Sequence, residues 1–374
     1  MSGPLKHLRI IEFAGIGPAP FGCMMLADNG ADVIRVTRTT PSPNDEILDP
    51  SKDILARSRR VVRLDLKNPE DVATARRLVR SADAVVEGFR PGVMESLGLG
   101  PAELMADHPA LVVARMTGWG QDGPLAFTAG HDINYIAVAG ALHAFGRAGD
   151  KPTPPVNLVG DFGGGGMLLA FGIVSAVLHA RATGQGQVID CAMVDGAASL
   201  MGMVWSLRAA GMWKDERGVN LLDTGAYFYD TYETSDARHI AIGAVEPHFH
   251  ARLLDALGLA DDLEFRNGQR DPRAWPRLKE RLTAIFLSRT RDQWRDLLEP
   301  IDACFAAVLS MDEAPRHPHN VARGLFQVAD GVMQPSPVPR YSQTPCDSPR
   351  MTPADRDDSQ GILAELDARP SSGH

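Results

Sequence analysis

Two polar side chains, His131 and Asp161, are the best candidates in the sequence for moving protons. His131 follows Gly130 and opens a segment with helical periodicity, so it lies with free backbone N–H groups at the positive end of a helix dipole. Such a helix start can hold a developing enolate oxygen. A capping or surface role for His131 is the open alternative, and so is a plain N-cap role for Asp132.

Asp161 lies between an apolar, strand-like run at residues 156–159 and a glycine-rich segment that predicts a helix starting at Gly163. Apolar surroundings would raise the pKa of this carboxyl group towards the working range of a base. The alternative is that Asp161 only caps the helix. A further acidic residue, Glu246, follows a predicted strand and is by itself typical of an exposed loop.

Basic residues collect near the first predicted strands. Arg35 and Arg38 end the second strand, where a Rossmann-like site favours a phosphate on the adenosine ribose, and coenzyme A carries such a phosphate. Arg90 lies in a turn that follows a later strand. More positive charge comes from Arg57, Arg59, Arg60 and Lys67. A single arginine of this kind is typical of a solvated surface, whereas the clustering indicates a phosphate site.

Several classes of ligand do not fit the sequence. Gly15 and Gly17 follow the first strand, but position 20 is Pro and no acidic residue ends the second strand, which argues against NAD. The four cysteines, Cys23, Cys191, Cys304 and Cys346, have no metal-ligand spacing, so no metal is predicted. The net charge of −9 argues against a nucleic-acid partner.

The elements that must position these residues follow an α/β pattern. Apolar strand-like runs alternate with helical stretches at residues 8–13, 33–36, 61–66, 84–86 and 111–115. This alternation predicts a Rossmann-like open parallel sheet. The apolar stretch from Gly163 to Leu178 falls short of a membrane span and predicts a buried helix. The N-terminus has no secretory signal pattern, so we expect a cytoplasmic protein.

The residue pattern of the later part of the chain differs from that of the first part. Aromatic, strand-like runs around Tyr227–Tyr232 and His239–Ile242 precede helices near Leu253–Leu259 and Trp275–Phe286, which predicts a smaller α+β domain. We therefore expect four parts, which are a large Rossmann-like CoA-binding domain at 1–190, linker helices at 191–223, the small domain at 224–317 and a C-terminal segment at 318–374 that returns to the large domain.

Longer motifs resemble a known family. The segments 8–18 and 28–36 resemble the family III CoA-transferase superfamily, and the resemblance runs to about residue 345. Within it, the α-methylacyl-CoA racemase branch is similar to this chain in the segments 115–121, 130–135, 157–165 and 193–196. This resemblance implies interconversion of (R)- and (S)-2-methylacyl-CoA thioesters by proton transfer through an enolate. The sister activity, moving CoA between carboxylic acids with Asp161 as the nucleophile, is the alternative.

The resemblance also implies roles for individual residues. His131 and Asp161 would be catalytic, and Glu246 would orient His131. Substrate and CoA contacts are implied at Arg38, Leu64, Asp65, Leu66, Lys67, Gly88, Phe89, Arg90, Gly130, Asp132, Ile133, Asn134 and Tyr135. One departure is Ser96, because the racemases commonly have a CoA-contacting Arg there. The family fold implies an interlocked homodimer with acyl-CoA as substrate and no separate cofactor, since CoA is part of the substrate.

Overall fold

The computed structural model describes residues 2–40, 49–353 and 355–368. The chain divides into two compact units. The first unit contains the described residues up to Ala139, the segment Val156–Leu200 and the described residues from His319 onwards. The second unit contains Gly140–Pro155 and Met201–Pro318. Residues 140–155 are predicted within the large domain, whereas the structure groups them with the second unit.

A six-stranded parallel sheet forms the centre of the first unit, in the order β3-β2-β1-β4-β5-β6. The strands are β1 (Arg9–Phe13), β2 (Asp32–Thr37), β3 (Arg60–Arg63), β4 (Ala84–Glu87), β5 (Val112–Thr117) and β6 (Val188–Ala192). Ile10 of β1 pairs with Val33 on one side and with Ala84 on the other. This order is that of a doubly wound nucleotide-binding sheet, so the prediction of a Rossmann-like parallel sheet is confirmed.

Helices cover both faces of the sheet. The helices of this unit are α1 (Pro18–Asp28), α2 (Pro69–Arg80), α3 (Val93–Ser96), α4 (Pro101–Asp107), α5 (Asp132–Val138), α7 (Leu168–Thr183), α8 (Met193–Leu200), α14 (Pro318–Arg323) and α15 (Ser359–Ala368). Ile10 and its in-register neighbours pack towards α1 and α7. Ile11 and its neighbours pack towards α2, α4 and α15. This alternation buries both faces, as a parallel sheet requires.

Short elements complete the first unit. Single 3₁₀ turns span Pro50–Lys52 and Ile54–Ala56, and a ten-residue π-helix, Leu158–Met167, runs directly into α7. In the C-terminal part, β10 (Phe326–Ala329) and β11 (Val332–Pro335) form an antiparallel pair. The predicted start of α2 is confirmed, because the Asn68 side chain accepts a hydrogen bond from the Glu70 backbone N–H at 3.1 Å and Pro69 is the first helical residue.

The second unit is built on a three-stranded antiparallel sheet, in which β8 (His239–Gly243) pairs with β7 (Tyr229–Glu233) and with β9 (Phe305–Ala307). Its helices are α6 (Ala141–Ala144), α9 (Gly202–Ala209), α10 (Pro247–Ala256), α11 (Leu263–Gly268), α12 (Trp275–Phe286) and α13 (Arg291–Leu298), with a 3₁₀ turn at Ala314–Arg316. Aromatic side chains dominate its core. The smaller α+β region expected from the sequence is therefore present.

The π-helix and α7 together form a 26-residue apolar segment, Leu158–Thr183. By length and composition alone it could cross a membrane, and 39% of its most apolar window is buried. The prediction that Gly163–Leu178 is buried is wrong for one face, since Phe171 and Leu178 are each 71% exposed. The reason is that α7 is apolar on all sides, whereas only the side facing the sheet and α1 is covered.

Candidate active site

Asp161 lies inside the π-helix Leu158–Met167. The predicted strand-like run at 156–159 and the predicted helix start at Gly163 are both wrong, because Leu158 already begins the π-helix and α-helical geometry begins only at Leu168. Ten residues of π-helix are unusual, and π-helical turns are frequently found at functional sites. The carboxylate that the sequence singled out therefore projects from the most irregular helix of the first unit.

Glycines explain how this wide helix is packed. A Cβ atom on Gly164 would lie 2.7 Å from the Ala197 backbone nitrogen in α8, and one on Gly166 would lie 2.7 Å from the Pro18 carbonyl oxygen in α1. From the other direction, a Cβ on Gly22 of α1 would lie 2.8 Å from the Gly166 carbonyl oxygen. The π-helix thus packs with its backbone directly against both helices, which only glycine permits.

The Asp161 carboxylate is half-buried, and its surroundings change its protonation. Burial is the largest cause of a raised pKa, and the negative charge of Asp132 raises it further. The opposing influences are a 2.9 Å hydrogen bond from the Asn157 side-chain amide to Oδ2 and the charge of His131. The net pKa is raised above the ordinary value, in the direction that suits a general base or acid.

His131 is the N-cap residue of α5, which begins at Asp132 as the sequence predicted. Its backbone N–H donates to the Asn134 side-chain oxygen at 3.0 Å, and its carbonyl accepts from the Asn134 N–H at 2.8 Å. The side chain is exposed, and it is near enough to Asp161 for its charge to influence that carboxyl group. The structure therefore brings His131 and Asp161 into one site.

Asp132 does not cap its own helix, which was one alternative left open by the sequence. Its buried carboxylate Oδ1 instead accepts hydrogen bonds from the backbone N–H groups of Gly160 at 2.7 Å and Asp161 at 2.8 Å. This contact satisfies two N–H groups in the first turn of the π-helix, which have no partner within that helix. The sequence carries no signal for it, because an acidic residue after an N-cap is ordinary.

Tyr135 forms one wall of the site. Its hydroxyl donates to the Gly130 carbonyl, and its ring packs edge-on against Trp119 with 4.8 Å between the ring centroids. Burial and the charge of Asp161 raise the pKa of this phenol. Side chains larger than hydrogen at Gly118 and Gly130 would overlap the Tyr135 ring. Tyr135 was expected from the family resemblance, whereas the sequence analysis assigned no contact to Trp119.

Three of the expected CoA-contacting segments directly follow the carboxyl ends of parallel strands. Arg38 follows β2, residues 64–67 follow β3 and residues 88–90 follow β4. This edge of the sheet is where ligands bind in open α/β folds. Arg38, Lys67 and Arg90 are exposed there. Leu64 is buried, and its backbone N–H donates to the Thr37 carbonyl at 2.9 Å. Contact of these residues with CoA stays a prediction.

Three arginines of the wider basic cluster are held in ion pairs and are not free to bind a phosphate. Arg57 and Arg59 are almost fully buried and form ion pairs, with Asp28 and with Glu12. Arg60 begins β3, at the opposite edge of the sheet, and pairs with Asp32 at 2.7 Å. The sequence expectation for these three side chains is wrong, because the carboxylates that neutralise them come from distant parts of the chain.

Glu246 lies in the second unit, where it is the N-cap residue of α10. It is exposed, and its side chain makes no capping hydrogen bond to that helix. Its role in orienting His131 stays a prediction.

The family model described as CoA-transferase family III matches residues 5–358. The chain belongs to this family. It is 43% identical to the mouse (Mus musculus) protein named alpha-methylacyl-CoA racemase, over 96% of this chain and 90% of the mouse protein. It is 41% identical to the human (Homo sapiens) protein of the same name, over 91% and 87% of the two chains.

A solved structure supports the architecture of this family III chain. The crystal structure of a CAIB/BAIF family protein from Brucella suis has a TM-score of 0.84 with 26% sequence identity, and covers 98% of this chain and 100% of that one. The six-stranded parallel sheet and the smaller antiparallel region are thus those of a known fold.

Two further features of the family III chain concern its ligands. Ser96, the departure noted above, is exposed at the end of α3, and its hydroxyl donates to the Val93 carbonyl at 2.7 Å. Within residues 2–40, 49–353 and 355–368, no group of three His, Cys, Asp or Glu side chains could hold a metal ion.

Proposed function

We propose that this protein interconverts the (R)- and (S)-forms of 2-methylacyl-CoA thioesters. The observation that carries the proposal is the placement of His131 and Asp161 in one site, at the starts of two helices, with the pKa of Asp161 raised. Inversion at Cα requires two groups that can each give or take a proton, on opposite faces of the carbon. The identity with two proteins named alpha-methylacyl-CoA racemase supports the same substrate class.

In the proposed reaction, one member of the pair removes the proton from Cα and the other delivers a proton to the opposite face. In one direction neutral His131 takes the proton and protonated Asp161 gives one. In the reverse direction ionised Asp161 takes the proton and the imidazolium of His131 gives one. The negative charge that develops on the thioester oxygen is stabilised by backbone N–H groups at the start of α5.

The alternative is CoA transfer between carboxylic acids, with Asp161 as the nucleophile. The half-exposed carboxylate of Asp161 and the family membership both permit it. In that reaction Asp161 forms a mixed anhydride and then a thioester with CoA, so it is covalently modified during turnover. CoA transfer does not require proton transfer by His131, whereas racemisation does. This difference separates the two activities.

The deciding experiment incubates the protein with each enantiomer of a 2-methylacyl-CoA in deuterated water. We expect both enantiomers to approach one common mixture, with deuterium at Cα in the product of inversion. Hydroxylamine is added to a parallel reaction that contains a free carboxylic acid. CoA transfer to that acid, together with a hydroxamate on the peptide that contains Asp161, would refute the racemase proposal.

We also propose that the protein is a homodimer. Along the π-helix and α7, Met167, Phe171, Val174 and Leu178 are all exposed and recur at a spacing of four, three and four residues. This spacing places them on one helix face. Monomeric soluble proteins rarely leave such a continuous apolar stripe in water, so we assign its cover to a second copy of the chain. The absence of a separate cofactor and a cytoplasmic location stay predictions.

A further inference from the structure

The carboxylate of Asp132 joins two helix starts. Asp132 is the first residue of α5 and follows His131 directly in the chain. Its Oδ1 accepts hydrogen bonds from the N–H groups of Gly160 and Asp161, at 2.7 and 2.8 Å, in the first turn of the π-helix. His131 is thus one peptide bond away from Asp132, and Asp161 is one hydrogen bond away.

The local packing is adapted to this link. A Cβ atom on Gly160 would lie 2.5 Å from Asp132 Oδ1 and 3.2 Å from Ile136 Cγ2, so the carboxylate occupies the space that a side chain at 160 would need. Asp132 is only 6% exposed. Its second oxygen, Oδ2, is buried without a hydrogen-bond partner in the described part of the chain. A buried, half-satisfied carboxylate is destabilising, so its presence calls for a functional reason.

The charges around Asp161 come from a single helix. His131, Asp132 and Tyr135, all at the start of α5, interact electrostatically with its carboxyl group. The close contacts of the π-helix with α1 and α8 involve Pro18, Phe21, Gly22, Met193, Gly196 and Ala197, none of which titrates. The charge of Asp132 raises the pKa of Asp161, and the charge of His131 lowers it. Asp132 is therefore the only one of these α5 groups whose negative charge at neutral pH favours the protonated form of Asp161.

We propose that Asp132 is a positioning residue for the proton-transfer pair: its Oδ1 fixes the π-helix turn that carries Asp161 beside His131, and its negative charge acts on the Asp161 carboxyl group. This inference rests on the proposed function, because it assigns Asp132 a task in the same reaction. The side chain of Asp132 does not contact the substrate in this proposal.

The two effects are separated by two substitutions. Asp132→Asn keeps an oxygen that can accept both N–H groups but removes the charge. Loss of the negative charge lowers the pKa of Asp161, so the acidic limb of kcat/KM moves to lower pH in the direction in which Asp161 is the base. Asp132→Ala removes the acceptor as well, and we expect kcat to fall by about a hundredfold, since misplaced catalytic groups cost about that much. KM should change less than twofold in both variants.

A matched control is Asp262→Asn in the second unit. Asp262 also accepts hydrogen bonds from two backbone N–H groups, those of Glu264 and Phe265, at 3.0 and 3.2 Å. This variant should leave kcat, KM and the pH profile unchanged. If Asp132→Ala does not fold, the Asp132→Asn variant still carries the test, because its pH profile is compared with those of the wild type and of Asp262→Asn.

A readout that does not depend on turnover is the ¹³C NMR titration of the aspartate carboxyl carbons, with the Asp161 signal assigned from an Asp161→Asn variant. We expect a lower titration midpoint for Asp161 in Asp132→Asn than in the wild type. An unchanged midpoint together with an unchanged pH profile would overturn this inference and leave the racemase proposal intact. Failure of the wild type to racemise, together with a lower Asp161 midpoint in Asp132→Asn than in the wild type, would overturn only the proposed function.

Discussion

The carboxylate of Asp161 lies so close to Gly17 that a Cβ atom at position 17 would be 3.4 Å from Oδ2. Gly17 has a φ of 71° and precedes α1, directly after the turn that follows β1. The carboxylate that we assign to proton transfer therefore lies beside the turn that follows β1, at the centre of the sheet.

Gly17→Ala should shift the pH dependence of the reaction. The methyl group would exclude water from Oδ2 and raise the pKa of Asp161 further, so the acidic limb of kcat/KM should move to higher pH in the direction in which Asp161 is the base. The backbone at Gly17, with a φ of 71° and a ψ of −120°, strongly favours glycine, so the substitution should also cost about 1–3 kcal/mol of stability. The control is Gly258→Ala, with a φ of 72° and no atom within 4 Å of the added Cβ. It should also lose stability in urea unfolding but keep the wild-type pH profile.

His131→Ala and Asp161→Ala should each abolish interconversion of the enantiomers, because each residue serves one face of Cα. Slow deuterium exchange at Cα should survive for one enantiomer in each variant, and for opposite enantiomers in the two variants. Proton NMR of the recovered thioester in deuterated water measures both quantities. Interconversion at the wild-type rate in His131→Ala would contradict the two-base scheme.

Arg38→Ala and Arg90→Ala should raise KM by about tenfold with little change in kcat, since a charge-assisted contact to phosphate is worth about 1.5–3 kcal/mol in both the ground state and the transition state. Both side chains are exposed at the carboxyl edge of the sheet. The control is Arg76→Ala, because Arg76 lies in α2 and pairs with Asp107 of α4. Steady-state kinetics on one 2-methylacyl-CoA compares the three variants. Unchanged KM in both edge variants would argue against CoA binding by these arginines.

His250 should make the protein less stable in mild acid. Burial lowers the pKa of this side chain from an ordinary 6.5 to about 4, and Nε2 lies 2.7 Å from the Tyr227 hydroxyl. The unfolded chain takes up a proton as pH falls below about 6.5, whereas the folded chain does not until about pH 4, so stability present above pH 6.5 is lost between these values. The loss from pH 8 to pH 5 should be about 2 kcal/mol.

Urea unfolding at the two pH values measures this loss, and His250→Gln should remove most of it. The exposed neighbour His248 supplies the control, since His248→Gln should keep the wild-type pH dependence. An equal loss in all three proteins would show that other groups cause the acid sensitivity.

Phe171→Glu should weaken self-association. A charge in the middle of the exposed apolar stripe of α7 would have to be buried without a partner in the proposed dimer, which is strongly unfavourable. Sedimentation velocity at micromolar concentration should show a dimer for the wild type and a monomer for the variant. Val321→Glu is the control, because Val321 is 62% exposed on α14, outside the stripe. A wild-type monomer would refute the proposed dimer.

Part of this site was predictable from local sequence. The alternation of strands and helices predicted the parallel sheet, and Gly130-His131-Asp132 predicted the start of α5. The π-helix was not predictable, because its wide turns depend on contacts of Gly164 and Gly166 with Ala197 and Pro18, which are remote in sequence. Residue types and local spacing do not reveal such contacts.

The arginines illustrate the same limit in a different way. Arg38 and Arg59 each flank a strand of the sheet, yet Arg59 is buried against Glu12 at 2.9 Å and Arg38 is exposed. The difference arises from where the carboxylate of Glu12 lies in the middle of the sheet. Strand pairing decides this, and no pattern within either segment reveals it.

The glycine contacts between the π-helix and α8 limit how this site can be altered. A Cβ on Gly196 would overlap the Gly164 carbonyl, and a Cβ on Gly164 would lie 2.9 Å from the Gly196 carbonyl carbon. Neither position can gain a methyl group by a single substitution unless the backbone moves, and changing both together makes the crowding worse. Mutant libraries intended to broaden the range of acyl chains should therefore keep both glycines and vary exposed positions such as Ile16 instead.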